Sequence, residues 1–197
     1  GSKWAVPWTA SSLYQYLRNG HSPRHGIAGG PMAEVVRELA EVPDADIRAM
    51  ASYLASFQPD TSEARADELA RQAVANAQLR RPAHGAGQGL FDGACAACHH
   101  DGNGPTLLGV NTPLALNSQI TSARPDSLLR TILEGVREPA SQDIGFMPPF
   151  ADALDDRQIA ELAQYMRARS PPQEPAWSGL PQKVREARVR QGAGANR

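Results

Sequence analysis

The chain has 197 residues, 41% of them hydrophobic, and carries 20 Lys and Arg against 21 Asp and Glu for a formal charge of −1. That is enough apolar material for one or two small domains, and the matched charges exclude a polyelectrolyte surface for nucleic acid. No run approaches the ~18 consecutive apolar residues of a membrane span, and the opening GSKWAVPW lacks a signal peptide's basic and apolar regions. A soluble chain is expected, with any targeting segment outside it.

In chain order, the apolar spacing is helical throughout, and no alternating run of β-branched residues suggests a sheet. Residues 9–19 place Leu13, Tyr14 and Leu17 on one side, with Thr9 or Ser11 as cap and Gly20 as stop. Residues 44–57 form a second helix, with Asp44 as N-cap and Ile47, Met50, Ala51 and Leu54 facing inward. A third helix, over 62–81, repeats alanines at helical spacing between Pro59 and Pro82 and reads as a connector. Helices at 87–97, 125–134 and 155–168 follow, and PPQEP at 171–175 then punctuates the chain. The fold class is all-α.

Two regions repeat one another. SLYQYLRNG ends at Gly20 with Met32 twelve residues later, and SLLRTILEG ends at Gly135 with Met147 twelve residues later. Each methionine lies in a Gly/Pro-rich loop, GGPM or GFMPPF, that leads to an Asp-started helix with matching Ile47/Ile159 and Tyr53/Tyr165 positions. The second copy has a longer front, residues 83–124, and that front contains CAACHH.

Cys95 and Cys98 in this motif are the chain's two cysteines. A disulfide across two residues closes too small a loop to constrain the unfolded chain much. A thioredoxin-like dithiol would follow a buried strand, and no such strand is predicted. Structural zinc needs four ligands, and His21, His25 and His84 supply only a weak His-x3-His pattern. Cys-x-x-Cys-His is the attachment pattern of c-type haem. Two thiols one helical turn apart can form thioethers with the two vinyl groups of one haem, and His99 then projects beneath the iron. A covalently held haem also supplies apolar core to a small domain of short helices.

Residues 83–170 resemble a class I cytochrome c domain in several places besides CxxCH. Gly87 and Phe91, eight and four residues before Cys95, match the family's Gly-x-x-x-aromatic pair, which crosses the last helix where Leu162 and Tyr165 stand. Gly104-Pro105 matches the loop whose proline carbonyl orients the ligating histidine, here His99. Met147 in GFMPPF matches the loop that supplies the opposite axial sulfur, and His/Met ligation implies a relatively high potential. Asn117, Ser118 and Arg130 are candidates for the haem propionates, against the plainer reading that they are solvated polar residues. His100 is expected to face solvent, and His84 receives no role.

The resemblance extends to the multihaem, triheme cytochrome c subunits of periplasmic dehydrogenases, most of all those paired with nicotinate- or isoquinoline-type molybdenum hydroxylases. It implies four segments. Residues 1–58 would be the C-terminal part of a cytochrome c-like domain lacking its CxxCH, in which Met32 is a candidate ligand of a second haem. Residues 59–82 would connect it to a complete domain at 83–170 with one covalent haem c, and 171–197 would be a Pro-rich, basic tail. His21 and His25, beside Met32, would border a haem edge or simply lie at the surface.

The function so implied is electron transfer without catalysis, from dehydrogenase catalytic subunits containing molybdenum and iron–sulfur centres to a quinone, an oxidase or a soluble acceptor. The implied location is the periplasm, with peripheral membrane association a further option. Two rivals remain open: a peroxidase-like haem enzyme with an open iron position, and a zinc-stabilised interaction module. In the tail, Leu180, Val184 and Ala187 fall on one helical side among Lys183, Arg185, Arg188 and Arg190. That side would dock on a partner or an anionic membrane, or the tail would be solvated.

Overall fold

The computed structural model describes residues 4–79, 85–99, 113–136, 145–169 and 175–194. Helix α1 (Ala10–Asn19) starts where the Thr9 side chain accepts from the Ser12 N–H at 3.1 Å and stops at Gly20, whose φ of 71° is left-handed. A two-residue hairpin follows, β1 (His21–Ser22) paired antiparallel with β2 (Gly26–Ile27). Pro31 then opens α2 (Pro31–Leu39), a helix that the spacing did not predict. Helix α3 (Asp44–Ala55) packs along α1. Asp44 is its first residue and Pro43 its cap, so the expected capping role passes to a different interaction. The Asp44 carboxylate accepts from the Tyr14 hydroxyl and from Arg48 Nε, both at 2.6 Å, and these bonds hold its carboxyl below the usual range.

Helix α4 (Glu63–Leu79) matches the expected connector in extent but does more than span. Its alanine stripe, Ala66, Ala70 and Ala73, is buried with Val6 and Leu116, and Glu63 and Asp67 pair with Arg24 at 2.7 and 2.8 Å. Small side chains let the helix approach closely, and the ion pairs at one end set its position.

The second half is built on one apolar core. Helix α5 (Ala86–Ala94) crosses α8 (Asp156–Arg169), and a 3-10 turn (Leu114–Leu116), α6 (Ser118–Thr121) and α7 (Asp126–Glu134) close the other side. Phe91, Leu129, Ile132, Ile159 and Leu162 are all buried within it. At Gly87 a Cβ would overlap the Glu161 carbonyl and press on Tyr165, so only glycine permits the α5–α8 crossing. Phe91 meets Tyr165 at 5.6 Å between ring centroids. The described elements are helical apart from the short hairpin and an isolated bridge, in agreement with the all-α expectation.

The C-terminal segment departs from the solvated or docked tail that was expected. Helix α9 (Leu180–Gly194) packs on α7 and α8, with Trp177, Leu180, Val184 and Ala187 buried in the same core. The predicted apolar stripe is real, but the domain itself covers it. Arg167, only 4% exposed, explains the anchorage. Its guanidinium donates to the carbonyls of Ile120, Ser122 and Pro175 and lies 4.4 Å from the Trp177 ring, whose own N–H donates to Ser122 at 3.0 Å. Arg188 likewise ties α9 to Asp156 and to the carbonyls of Ala151 and Leu154.

Candidate haem site

The CxxCH segment begins where α5 ends. Cys95 has left helical geometry, with φ −120° and ψ −35°, while its N–H still donates to the Phe91 carbonyl at 2.9 Å. One further turn forms beyond it, as the N–H groups of Cys98 and His99 donate to the Cys95 carbonyl at 3.1 and 2.8 Å. The buried Phe91 therefore anchors one end of the turn, and the hydrogen bonds fix its pitch. Cys95, Cys98 and His99 all line a single cleft.

A second part of the lining comes from the end of α7 and the methionine loop. Gly135 donates its N–H to the Thr131 carbonyl and turns the chain with φ +69°, a conformation in which a Cβ would strike the Met147 carbonyl. Val136 and Met147 then exchange backbone hydrogen bonds at 2.9 and 3.1 Å, and Phe150 N–H donates to the Ile132 carbonyl at 3.0 Å. These bonds fasten the methionine loop to α7. Met147 lines the same cleft as the cysteine turn, so the structure brings together four of the sequence candidates.

Together these segments bound a cleft that is partly open to solvent. Its lining is mainly apolar, from Leu114, Leu128, Ile132, Phe150 and Leu162, with Asn117, Gln119 and Thr131 as a polar floor. Met166 also lines it, from the buried side of α8. Two thiols, an imidazole and a thioether on one apolar cleft are a donor set that would hold haem c. Burial, with the neighbouring Cys98, pushes the Cys95 thiol up to about 11. Among the described residues no three His, Cys, Asp or Glu side chains converge to hold a metal ion.

The remaining candidates divide. Pro105, His100 and His84 lie outside the described residues. Of the propionate candidates, Asn117 lines the cleft, whereas Arg130 is held by Glu134 at 3.0 and 3.2 Å and neither it nor Ser118 reaches the lining. Met32 stands at the start of α2, half-buried, rather than in a bridge like that of Met147.

His21 and His25 are both buried, which corrects the expectation of surface histidines. His25 stacks on Trp8 at 3.6 Å between centroids, its Nδ1 lies 3.1 Å from the Ser22 hydroxyl and its Nε2 lies 3.2 Å from the Val6 carbonyl. That pairing suits the neutral ring, and burial holds its pKa down at about 4. Sequence reasoning missed Gln119, Thr131, Gly26 and Ile27 as cleft residues. A buried glutamine carries no periodic signal, and Gly26 and Ile27 come from the distant first repeat.

Residues 82–166 match the family described as cytochrome c oxidase, cbb3-type, subunit III. The chain is 44% identical over 191 residues to a nicotinate dehydrogenase subunit of Pseudomonas putida, a match that covers 97% of this chain and 16% of that protein. It is 33% identical over 184 residues to the fructose dehydrogenase cytochrome subunit of Gluconobacter japonicus, covering 81% of this chain and 36% of the relative. It is also 30% identical over 166 residues to the gluconate 2-dehydrogenase cytochrome c subunit of Pantoea cypripedii, with 81% and 37% covered. The chain thus spans a sixth to about a third of the length of these relatives.

Proposed function

We propose that the chain is a c-type cytochrome that relays single electrons, in which Cys95 and Cys98 would anchor one haem c and His99 and Met147 would ligate its iron. The observation that carries this reading is the convergence of those four side chains on one apolar cleft. Haem c supplies a one-electron couple at iron. The chain's own residues do the rest. The turn after α5 would hold both sulfurs and the imidazole, the Val136–Met147 bridge would hold the thioether, and the apolar lining would limit water at the iron. A haem iron held by both His99 and Met147 would change oxidation state without binding a substrate, so the role proposed is transfer. The donor would be the catalytic part of a dehydrogenase, the acceptor a quinone, oxidase or soluble carrier, and the compartment the periplasm. Among the described residues no helix is long and apolar enough to cross a membrane.

The first repeat supports a second cytochrome unit, residues 1–58, completed by a haem-binding front half from elsewhere in a longer polypeptide, with 59–82 as connector to the complete unit at 83–170. On α8, Tyr165 and Leu162 lie under α5, whereas on α3 the equivalent Tyr53 is 66% exposed, and Phe57 just beyond the helix is exposed as well. Such a face is what a helix with glycine and an aromatic four residues apart would cover, and Met32 would then ligate that unit's iron.

The test is the mass of the denatured natural polypeptide, with the Cys95→Ala/Cys98→Ala variant beside it. One added haem per CxxCH, with that of this chain lost in the double variant, is the expected result. No added haem would sink the cytochrome assignment of this cleft.

A further inference from the structure

The cleft takes one wall from outside its own repeat. Gly26 and Ile27 belong to the hairpin after α1, yet they line the cleft beside Asn117 and Gln119. Three polar contacts seat them. The His25 carbonyl accepts from the Ser118 N–H at 2.9 Å, and the Ile27 carbonyl accepts from the Gln119 side-chain N–H at 3.2 Å. The oxygen of the same Gln119 amide accepts from the Thr131 hydroxyl at 3.0 Å. Gln119 is 8% exposed and Thr131 9%, so both ends of the amide are satisfied away from bulk water.

The backbone approach is close enough to exclude side chains. A Cβ on Gly29 would lie 2.6 Å from the Thr131 hydroxyl and 3.0 Å from the Gln119 amide nitrogen. Gly26, at φ +91°, runs along Asn117, where a Cβ would come within 3.0 Å. The far side of the loop is equally fixed, by the buried His25 against Trp8 and by the Ala28 N–H donating to the Gly20 carbonyl at 2.8 Å. A loop held on both faces is a wall and not a flap.

We propose that the haem cleft is a two-repeat site: Ile27 closes its edge, and Gln119 is the positioning residue that clamps the first repeat's hairpin against it. The inference rests on the haem reading of the cleft. Its consequence follows from charge. An oxidised iron–porphyrin core carries a positive charge that the reduced core lacks, so water at the edge favours oxidation and a dry edge raises the potential. The first repeat thereby sets the potential of the second repeat's haem without contributing a ligand to it.

The experiment is redox titration of the haem-loaded protein as Gln119→Leu and as Ile27→Ala, with haem content read by mass. Ile27→Ala keeps the clamp, since the Gln119 amide reaches Ile27 through its backbone carbonyl and not its side chain, and it stands if Gln119→Leu fails to fold. Val184→Ala, a change in the α9 core remote from the hairpin, is the comparison for general destabilisation. Both cleft variants are expected to shift the midpoint to lower potential at full haem content, while Val184→Ala leaves it in place. An unchanged midpoint in Ile27→Ala, or an equal shift in Val184→Ala, overturns the proposal. Absence of covalent haem from the unaltered protein overturns the haem reading itself, a separate outcome.

Discussion

The two repeats use one scaffold to different ends. In each, a helix stops at a glycine with positive φ, a methionine follows twelve residues later and an Asp-started helix packs back. In the second repeat that last helix is covered by α5 and α9 and its methionine is bridged to Val136. In the first, the chain between glycine and methionine forms the hairpin, and the methionine enters α2. Homologous sequence positions therefore acquire different environments, and burial depends on what packs against a face as much as on the face itself.

Exchanging equivalent residues sharpens that contrast. Met147→Ala is expected to lower the haem potential and open the iron to added imidazole, whereas Met32→Ala leaves this haem's spectrum and potential unchanged. Redox titration and absorption spectra with imidazole check both, and identical behaviour of the two variants would erase the distinction between the repeats. Deleting residues 176–197 strips Trp177, Leu180 and Val184 from the core and is expected to cost about 5 kcal/mol. Against ordinary domain stabilities that leaves little folded protein, and denaturant melts read it directly. A solvated tail would leave the midpoint unmoved.

Smaller effects should separate the paired helices. Leu162→Ala, at a site 1% exposed, is expected to cost about 3 kcal/mol, and Met50→Ala at the half-buried equivalent on α3 about 1 kcal/mol. Equal losses by chemical denaturation would mean that the α3 face is covered after all.

Acid should act on the first repeat. His25 is held near 4 when folded and titrates near its ordinary value of 6.5 when unfolded, so the unfolded chain binds more protons between them. The stabilisation is complete above pH 6.5 and is lost as pH falls toward 4, by about 3 kcal/mol at most. In His25→Gln, the slope of stability against pH over that interval should flatten.

Much of the fold was legible because helices are local. Thr9 and Gly20 bound α1 as expected, and the spacing of Ile159, Leu162 and Met166 marks the buried side of α8. The cysteine turn was legible for the same reason, since Cys95, Cys98 and His99 need only one turn of backbone to share a wall. Asp44 was misassigned as a cap because Pro43 occupies that position, and the carboxylate goes instead to Tyr14 and Arg48. The basic residues of α9 suggested solvent, yet Arg188 directs its charge to Asp156 and to the carbonyls before α8.

By itself, then, the sequence determined most of the helices, the repeat and the CxxCH turn, each written in residues close along the chain. Only the tertiary structure decided that α9 belongs to the core, that His25 is buried and neutral, and that Gly26 and Ile27 wall a cleft more than sixty residues downstream. Those outcomes depend on packing between distant segments, where Gly29 matters for the side chain it lacks and Gln119 for a carbonyl ninety-two residues away. No local period encodes such contacts, because their energy exists only when both surfaces are in place.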